Sequence, residues 1–419
     1  MDKNNGAIYD ARKLGKPKMI ILGVQHMFAM FGATILVPIL TGLDISTTLL
    51  MAGLGTLLFH CITKFKVPAF LGSSFAFLGG YAAIKAFSPN DPNSMLPYAC
   101  LGVACAGLIY FILAAVIKAV GIEKVMRFFP PVVTGPIIIA IGLGLAPSAV
   151  SNCTTNWFLA VVALAVIVVF NIWGKGMAKI IPIILGLLIS YGTGLVLYFI
   201  SQANPDLIQN VPWLFSGGAD ANGVYQPIFD FTSLNTICDN ISKGHIFGSE
   251  GLIGIPIHWD KTVFGGIDYS NGALIASSII AIVPIAFATM MEHIGDICAI
   301  SSTTGNNYIK DPGLHRTLVG DGLATTLASL FGGPANTTYG ENTGVLALTR
   351  VYDPRVIRIA AYFAVAVSFF PIVSVIIGSI PSCIIGGISF VLYGMISAIG
   401  VRNVVENKVD FTKSRNLIV

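Results

Sequence analysis

The sequence has 419 residues and a formal net charge of +4; 55% of its residues are hydrophobic and only 11% are charged. Soluble domains carry about 25% charged residues, so this composition excludes an ordinary soluble globular domain. Seven cysteines are scattered without a CxxC pair, which reads as small core residues rather than a disulfide framework or a metal site.

The N-terminal stretch MDKNNGAIYDARKLGKPKM is polar, and no A-x-A-like cleavage site follows the first apolar run. Residues 1–18 are therefore expected to be a cytoplasmic segment and not a removable signal peptide. Apolar runs long enough to cross a bilayer follow at 19–41, 47–63, 68–87, 97–117, 130–149, 157–173 and 180–200. Runs of about 18 apolar residues or more predict membrane-spanning helices, and the first half holds seven of these candidates. Residues 201–272 then carry Asp206, Asp220, Asp230, Asp239, Glu250, Asp260 and Asp268 among Gly-rich stretches such as FSGGADANG. They are expected to form one long external loop, a solvated connector. Five further spans are predicted at 273–300, 316–332, 334–349, 357–377 and 380–400.

Charge tests this parse independently. With the N-terminus inside, basic residues from Lys3 and Arg12 through Lys64, Lys118, Arg127, Lys175, Arg316 and Arg350 to Arg415 all fall on the cytoplasmic side. Only Lys85, Lys243 and Lys261 fall outside. Such alternation is what the positive-inside rule requires. It predicts a multi-pass membrane protein with a cytoplasmic N-terminus and the lipid bilayer as its first partner.

The two halves share a spacing. VPAFLGSSFAF at 67–77 and GPANTTYGENTG at 333–344 each place a Pro-Ala pair and small polar residues inside an expected span. The first span of each half holds an ionisable cluster, GVQH at 23–26 and MMEH at 290–293. One offset of 266 residues maps His26 onto Glu292, Pro68 onto Pro334 and Phe75 onto Glu341. Halves of opposite starting orientation on one offset predict an all-α polytopic protein with an inverted-topology repeat. Its two short broken segments would lie at mid-membrane. Secondary transporters of that kind bind substrate at the repeat interface, at interrupted helices, where broken backbone is tolerated because it lines a protein cavity.

The candidate residues follow from cost. A carboxylate near the bilayer centre costs about 2.5–3.5 kcal/mol or more on insertion scales, and such residues mark ion pathways or substrate sites. Glu292 and Asp296 are four apart and share a helical face; Glu341 lies in the second broken segment. His293 is expected to pack or pair locally. His26, mid-span, gains interest from the repeat. Desolvation disfavours the charged form of a carboxyl group, so a buried one can carry a proton in one conformation and release it in another. Carboxyl groups also suit a ring presenting N–H donors beside C=O acceptors. Phe75 offers a stacking face or a backbone donor. No mid-membrane Arg or Lys stands ready to neutralise an anion, so a small planar substrate fits best. HExxH spacing is missing, and no Ser or Cys stands beside a suitable base; an enzyme is not expected.

QHMFAMFGATILVP, VPAFLGSSFAF, EHIGD, DPGLHR, PANTTYGENTGVLALTRVYD and SCIIGGISFVLYG together resemble the nucleobase–ascorbate transporter family, in its bacterial uracil permease branch. The likeness runs from about residue 19 to the C-terminus, outside much of 201–272. It implies a seven-plus-seven repeat divided into core and gate domains, of which the last two spans are missing here. On that frame, 19–117 and 273–377 form the core domain, while 118–200 and 378–419 form the gate domain, its second part truncated. The implied activity is proton-coupled symport of uracil into the cell by alternating access, with the proton as coupling ion and no cofactor or metal. Glu292 and Glu341 would hold the uracil ring edge, Phe75, Tyr339 and Gly340 would line the site, and His26 would support it through hydrogen bonds. Asp296 stands where some relatives have a His tied to proton coupling. The likeness also implies a homodimer, whose interface in relatives includes the two absent spans. No nucleic-acid partner is expected. Two alternatives stay open: a xanthine or purine permease of the same family, and a truncated chain that binds uracil without transporting it.

Overall fold

Pro17 in the first turn and Gly42 in a left-handed C-cap (φ +87°) bracket the first long helix, α1 (Lys16–Thr41). Asp44 then N-caps α2 (Ile45–Ile62), its carboxylate accepting the Thr47 amide at 2.7 Å, the usual way a helix start satisfies its free N–H groups. In chain order there follow β1 (Leu71–Ser73), α3 (Leu78–Lys85), α4 (Leu96–Val120), α5 (Pro131–Cys153), α6 (Trp157–Trp173) and α7 (Pro182–Ala203). A hairpin, β2 (Ser216–Ala219) and β3 (Tyr225–Pro227), leads to α8 (Thr232–Ser242). The second half comprises α9 (Gly272–Ile282), α10 (Ile285–Thr304), α11 (Leu314–Leu330), β4 (Asn336–Thr338), α12 (Gly340–Thr349), α13 (Pro354–Ser368), α14 (Pro371–Gly378) and α15 (Ser382–Glu406). This computed structural model describes residues 7–121, 124, 130–220 and 222–418. Lys3 and Arg127, which enter the charge pattern, lie outside them.

The chain divides into two compact units, each drawn from both halves of the sequence. The first takes residues up to Pro130 and Ile253–Val373; the second takes Pro131–Leu252 and Ser374 onward. In the second unit α5 packs along α15 and α6 against α7, with Asn403 donating to Thr134 Oγ1 at 2.8 Å between helices. In the first, α4 packs on α11 and α2 on α13. The α4–α11 approach is close at a glycine pair: a Cβ on Gly322 would stand 2.6 Å from the Gly107 carbonyl oxygen. Small residues are what allow membrane helices such proximity.

Seven helices among the described residues are long and apolar enough to cross a membrane, or eight if α13 and α14 count as one bent span. Twelve spans were expected, and the differences have physical causes. α6 is apolar but only 17 residues long. α11, also 17 residues, carries His315, Arg316 and Asp321. The run at 273–300 is interrupted where α9 gives way to α10 at Val283 and Pro284, though the pair still passes as one span, Gly272–Thr304. Runs 68–87 and 334–349 are not spanning helices; each is a strand leading into a short helix.

Those two broken segments satisfy their backbone through one another. β1 and β4 pair antiparallel, Leu71 opposite Thr338, Gly72 opposite Thr337 and Ser73 opposite Asn336. Tyr339 N–H donates to the Phe70 carbonyl at 3.0 Å and Ser74 N–H to that of Ala335 at 2.8 Å. Side chains take up the remaining groups: Thr56 Oγ1 accepts the Leu71 amide at 2.9 Å, Thr325 Oγ1 donates to the Asn336 carbonyl at 2.7 Å, and Asn336 Nδ2 donates to that of Met51 at 3.0 Å. Every such bond removes a cost of several kcal/mol that an unpaired backbone group would bear away from water.

Residues 201–272 are more than a solvated connector. α8 buries Ile237, and Phe229 packs edge-on against Tyr191 and Tyr198 of α7 while stacking on Phe231 at 5.2 Å. Further on, in the first unit, Thr47 Oγ1 donates to the Pro256 carbonyl at 2.7 Å, which docks that stretch on the start of α2.

Candidate functional site

α10 turns one face into the first unit, burying Thr289, Met290, His293, Ile294 and Ile297. Glu292 and Asp296, one turn apart, are half-buried on its flank, and Gly295 between them is exposed. A Cβ added to Gly295 would meet nothing within 4 Å. Asp296 Oδ2 accepts a hydrogen bond from Thr338 Oγ1 at 2.7 Å, which ties α10 to β4. Glu341 is half-buried in the first turn of α12, where the partial positive charge of a helix N-terminus favours a carboxylate. Gly340, just before it, is exposed and also faces open space. α10 packs against both β4 and α12. Three carboxyl groups therefore converge where α10 passes the β4–α12 junction.

Behind this opening stands a buried polar frame. Asn342 Nδ2 lies 3.2 Å from His26 Nδ1 and donates to the His26 carbonyl at 3.1 Å, so α12 is held to α1. His26 Nε2 is buried with no hydrogen-bond partner among the described residues. Tyr339 donates its hydroxyl to the Ser73 carbonyl at 2.9 Å and accepts from Thr34 Oγ1 at 3.3 Å. Its ring lies over Gly72, where a Cβ would come within 2.5 Å of the ring carbons. Phe75, two residues past β1, is half-buried in a cluster with Met30, Phe70, Tyr339 and Leu346.

The sequence-predicted residues thus take two kinds of place. Glu292, Asp296, Glu341 and Gly340 border open space; His26 and Tyr339 brace the segments behind it, and Phe75 sits between. A carboxylate accepts N–H donors, and Gly340 and Phe75 supply backbone near it, so the arrangement suits a small ring with alternating N–H and C=O groups. No group of His, Cys, Asp and Glu fit to hold a metal ion is found among the described residues.

Sequence reasoning passed over two residues. Asn342 adjoins Glu341 yet carries no charge to draw notice. Asp321, fully buried in α11, stands with Oδ2 3.1 Å from Nδ1 of the equally buried His293, and its charge also bears on Glu292. The signal for Asp321 was present, an acidic residue within the apolar stretch LVGDGLATTLASL, and intramembrane carboxylates mark function by default.

A model of the permease family matches residues 17–419 of the chain. A uracil permease of Bacillus caldolyticus is 38% identical over 411 residues, covering 96% of this chain and 82% of the relative. The uracil permease of Bacillus subtilis is 38% identical over 413 residues, covering 96% and 83%. One from Escherichia coli K12 is 31% identical over 411 residues, covering 96% and 82%. Among solved structures, the transmembrane domain of the cyanobacterial bicarbonate transporter BicA aligns with a TM-score of 0.58 at 14% identity, over 96% of this chain and 98% of that one. SLC26A9 aligns at 0.53 with 11% identity, over 97% and 61%. At those identities the likeness concerns the fold alone. The chain belongs to the permease family, as a multi-pass membrane protein of the nucleobase–ascorbate transporters on their uracil permease branch.

Proposed function

We propose that this permease carries uracil into the cell by proton-coupled symport and alternating access. The observation that carries the reading is the packing of α10, which holds Glu292 and Asp296, against β4 and α12, which holds Glu341 beside the exposed Gly340, at the broken segments. Glu292 and Glu341 accept the ring N–H groups, and Gly340 and Phe75 border the ring. His26 and Tyr339 brace the site, and Asp296 with Glu292 handles the coupling proton. Relatives named as uracil permeases, at 31–38% identity over most of their length, support the substrate.

The first unit serves as the core domain and the second as the gate, with the N-terminus in the cytoplasm. The β1–β4 register supports the inverted repeat behind that assignment. Applying the 266-residue offset to the pair Leu71 and Thr338 returns the pair Gly72 and Thr337, which is also in register. The same operation turns Ser73 and Asn336 into Phe70 and Tyr339, joined by the Tyr339 amide at 3.0 Å. A two-fold axis in the membrane plane would generate this pattern.

The test is radiolabelled uracil uptake at mildly acidic pH in permease-deficient cells, with and without a protonophore. Glu341→Gln is expected to abolish uptake at unchanged membrane abundance, because the amide loses the charge that accepts the ring N–H. The protonophore is expected to collapse wild-type uptake. Uptake untouched by Glu341→Gln would refute the site, and uptake insensitive to the protonophore would refute the coupling. Competition by excess unlabelled xanthine would move the substrate to the purines.

A further inference from the structure

The N-terminal segment preceding α1 makes contacts well beyond those needed to start a helix. Ile8 N–H donates to the Arg350 carbonyl at 2.9 Å, and Tyr352 N–H donates back to the Ile8 carbonyl at 2.8 Å, a parallel bridge to Val351 just past α12. Tyr9 donates its hydroxyl to the carbonyl of Thr304, the last residue of α10, at 2.7 Å. Its ring meets that of Tyr352 edge-on at 5.5 Å. Ala11 N–H donates at 2.7 Å to Asp353, the residue that N-caps α13. The Arg355 guanidinium reaches Asp10 at 3.1 Å and Asp353 at 3.0 Å. Beneath these bonds Ala11 is fully buried with Val351 and Val356, flanked by Ile8, Leu14, Met19 and Leu22.

Two of the anchored elements are the helices that carry the candidate carboxylates. α10 holds Glu292 and Asp296, α12 holds Glu341, and between them the chain detours through α11 and β4. Helices are stiff rods rising about 1.5 Å per residue, so pinning both at their C-terminal ends limits how far their site-bearing portions can separate. We propose that residues 8–11 are a clasp that sets the spacing between α10 and α12, with Tyr9 and Asp10 as positioning residues for substrate binding. This rests on the carboxylate site proposed above. The Arg12 side chain foremost holds the Asp10 carboxyl below its ordinary range; burial opposes it, and the Arg12 amide and Arg355 add lesser effects in the same direction as the side chain.

The test uses the purified full chain and three measurements: uracil affinity, thermal midpoint, and amide hydrogen exchange over α10 and α12 with α2 as the internal reference. Tyr9→Phe, which deletes only the hydroxyl, is expected to raise the uracil Kd about fivefold, the equivalent of one hydrogen bond. Exchange should quicken in α10 and α12 but not in α2. Tyr9→Ala combined with Asp10→Asn is expected to go further in both, while KM for uptake rises more than the maximal rate falls. Unchanged affinity and exchange, with only abundance or thermal midpoint reduced, would reduce the segment to a terminal anchor and overturn the proposal. Quickened exchange in α10 and α12 at unchanged affinity would also overturn its positioning role. Glu341→Gln in the same binding assay separates the two readings: full affinity there strikes the site, whatever the clasp variants do.

Discussion

At the scale of single residues, the most consequential contact is a buried pair of titratable side chains on two helices. His293 and Asp321 are both fully buried, on α10 and α11, with 3.1 Å between Nδ1 and Oδ2. Removing one partner of such a pair strands the other away from water, which costs about 3–5 kcal/mol, whereas replacing both with apolar groups of similar volume is often neutral. Asp321→Leu alone is therefore expected to lower the thermal midpoint of the detergent-solubilised protein sharply. Adding His293→Leu should restore most of it. A double-mutant cycle on unfolding would check this, with a coupling of about 0.5–3 kcal/mol expected for residues in contact; additive single effects would show the two residues act separately. The pair also places a charge-bearing group behind Glu292, so the double variant, though folded, is expected to transport poorly. Uptake per unit of membrane protein reads that second effect apart from the first.

At the scale of elements, the sequence showed where the helices break but not what the breaks build. Pro68, Pro334 and the small polar residues after them are locally legible, because proline and glycine interrupt helices by their own backbone geometry. That the interruptions pair with each other, antiparallel from Leu71 opposite Thr338 to Ser73 opposite Asn336, depends on contacts no local pattern records. The same holds for Tyr339. Its hydroxyl bonds to Ser73 and Thr34 could not be read from its place in the motif. Glu292 and Glu341 were legible because charge in an apolar run is conspicuous. His26 needed the repeat, and Asn342 needed the coordinates. Gly72 makes the pairing testable, since a methyl group there would press into the Tyr339 ring. Overpacking of this kind costs about 1–3 kcal/mol. Gly72→Ala is expected to lower the thermal midpoint modestly and uracil affinity more strongly, because displacing Tyr339 moves Gly340 and Glu341 with it. Isothermal titration beside a melting curve would tell the two apart, and equal loss in both would mean that Gly72 serves packing alone.

At the scale of the whole molecule, orientation decides which ends of the helices face the cytoplasm, and it can be read from the protein's own thiols. Cys61, at the end of α2, and Cys238, on α8, are both exposed. The charge pattern predicts opposite sides for them: Lys64 and Lys66 follow Cys61 within a few residues, while Cys238 lies in the acidic stretch between the halves. Basic residues remain in the cytoplasm because translocating them against the membrane potential is unfavourable. In two single-cysteine variants expressed in intact cells, an impermeant maleimide is expected to label Cys238 rapidly and to leave Cys61 unmodified until the cells are opened. This pattern sets the clasp at residues 8–11 and the end of α10 in the cytoplasm. Labelling of Cys61 alone would invert the molecule and refute the orientation read from the basic residues. Rapid labelling of both in intact cells would show that an odd number of crossings does not separate α2 from α8, and the parse of the first half would have to change before any transport cycle is drawn on it.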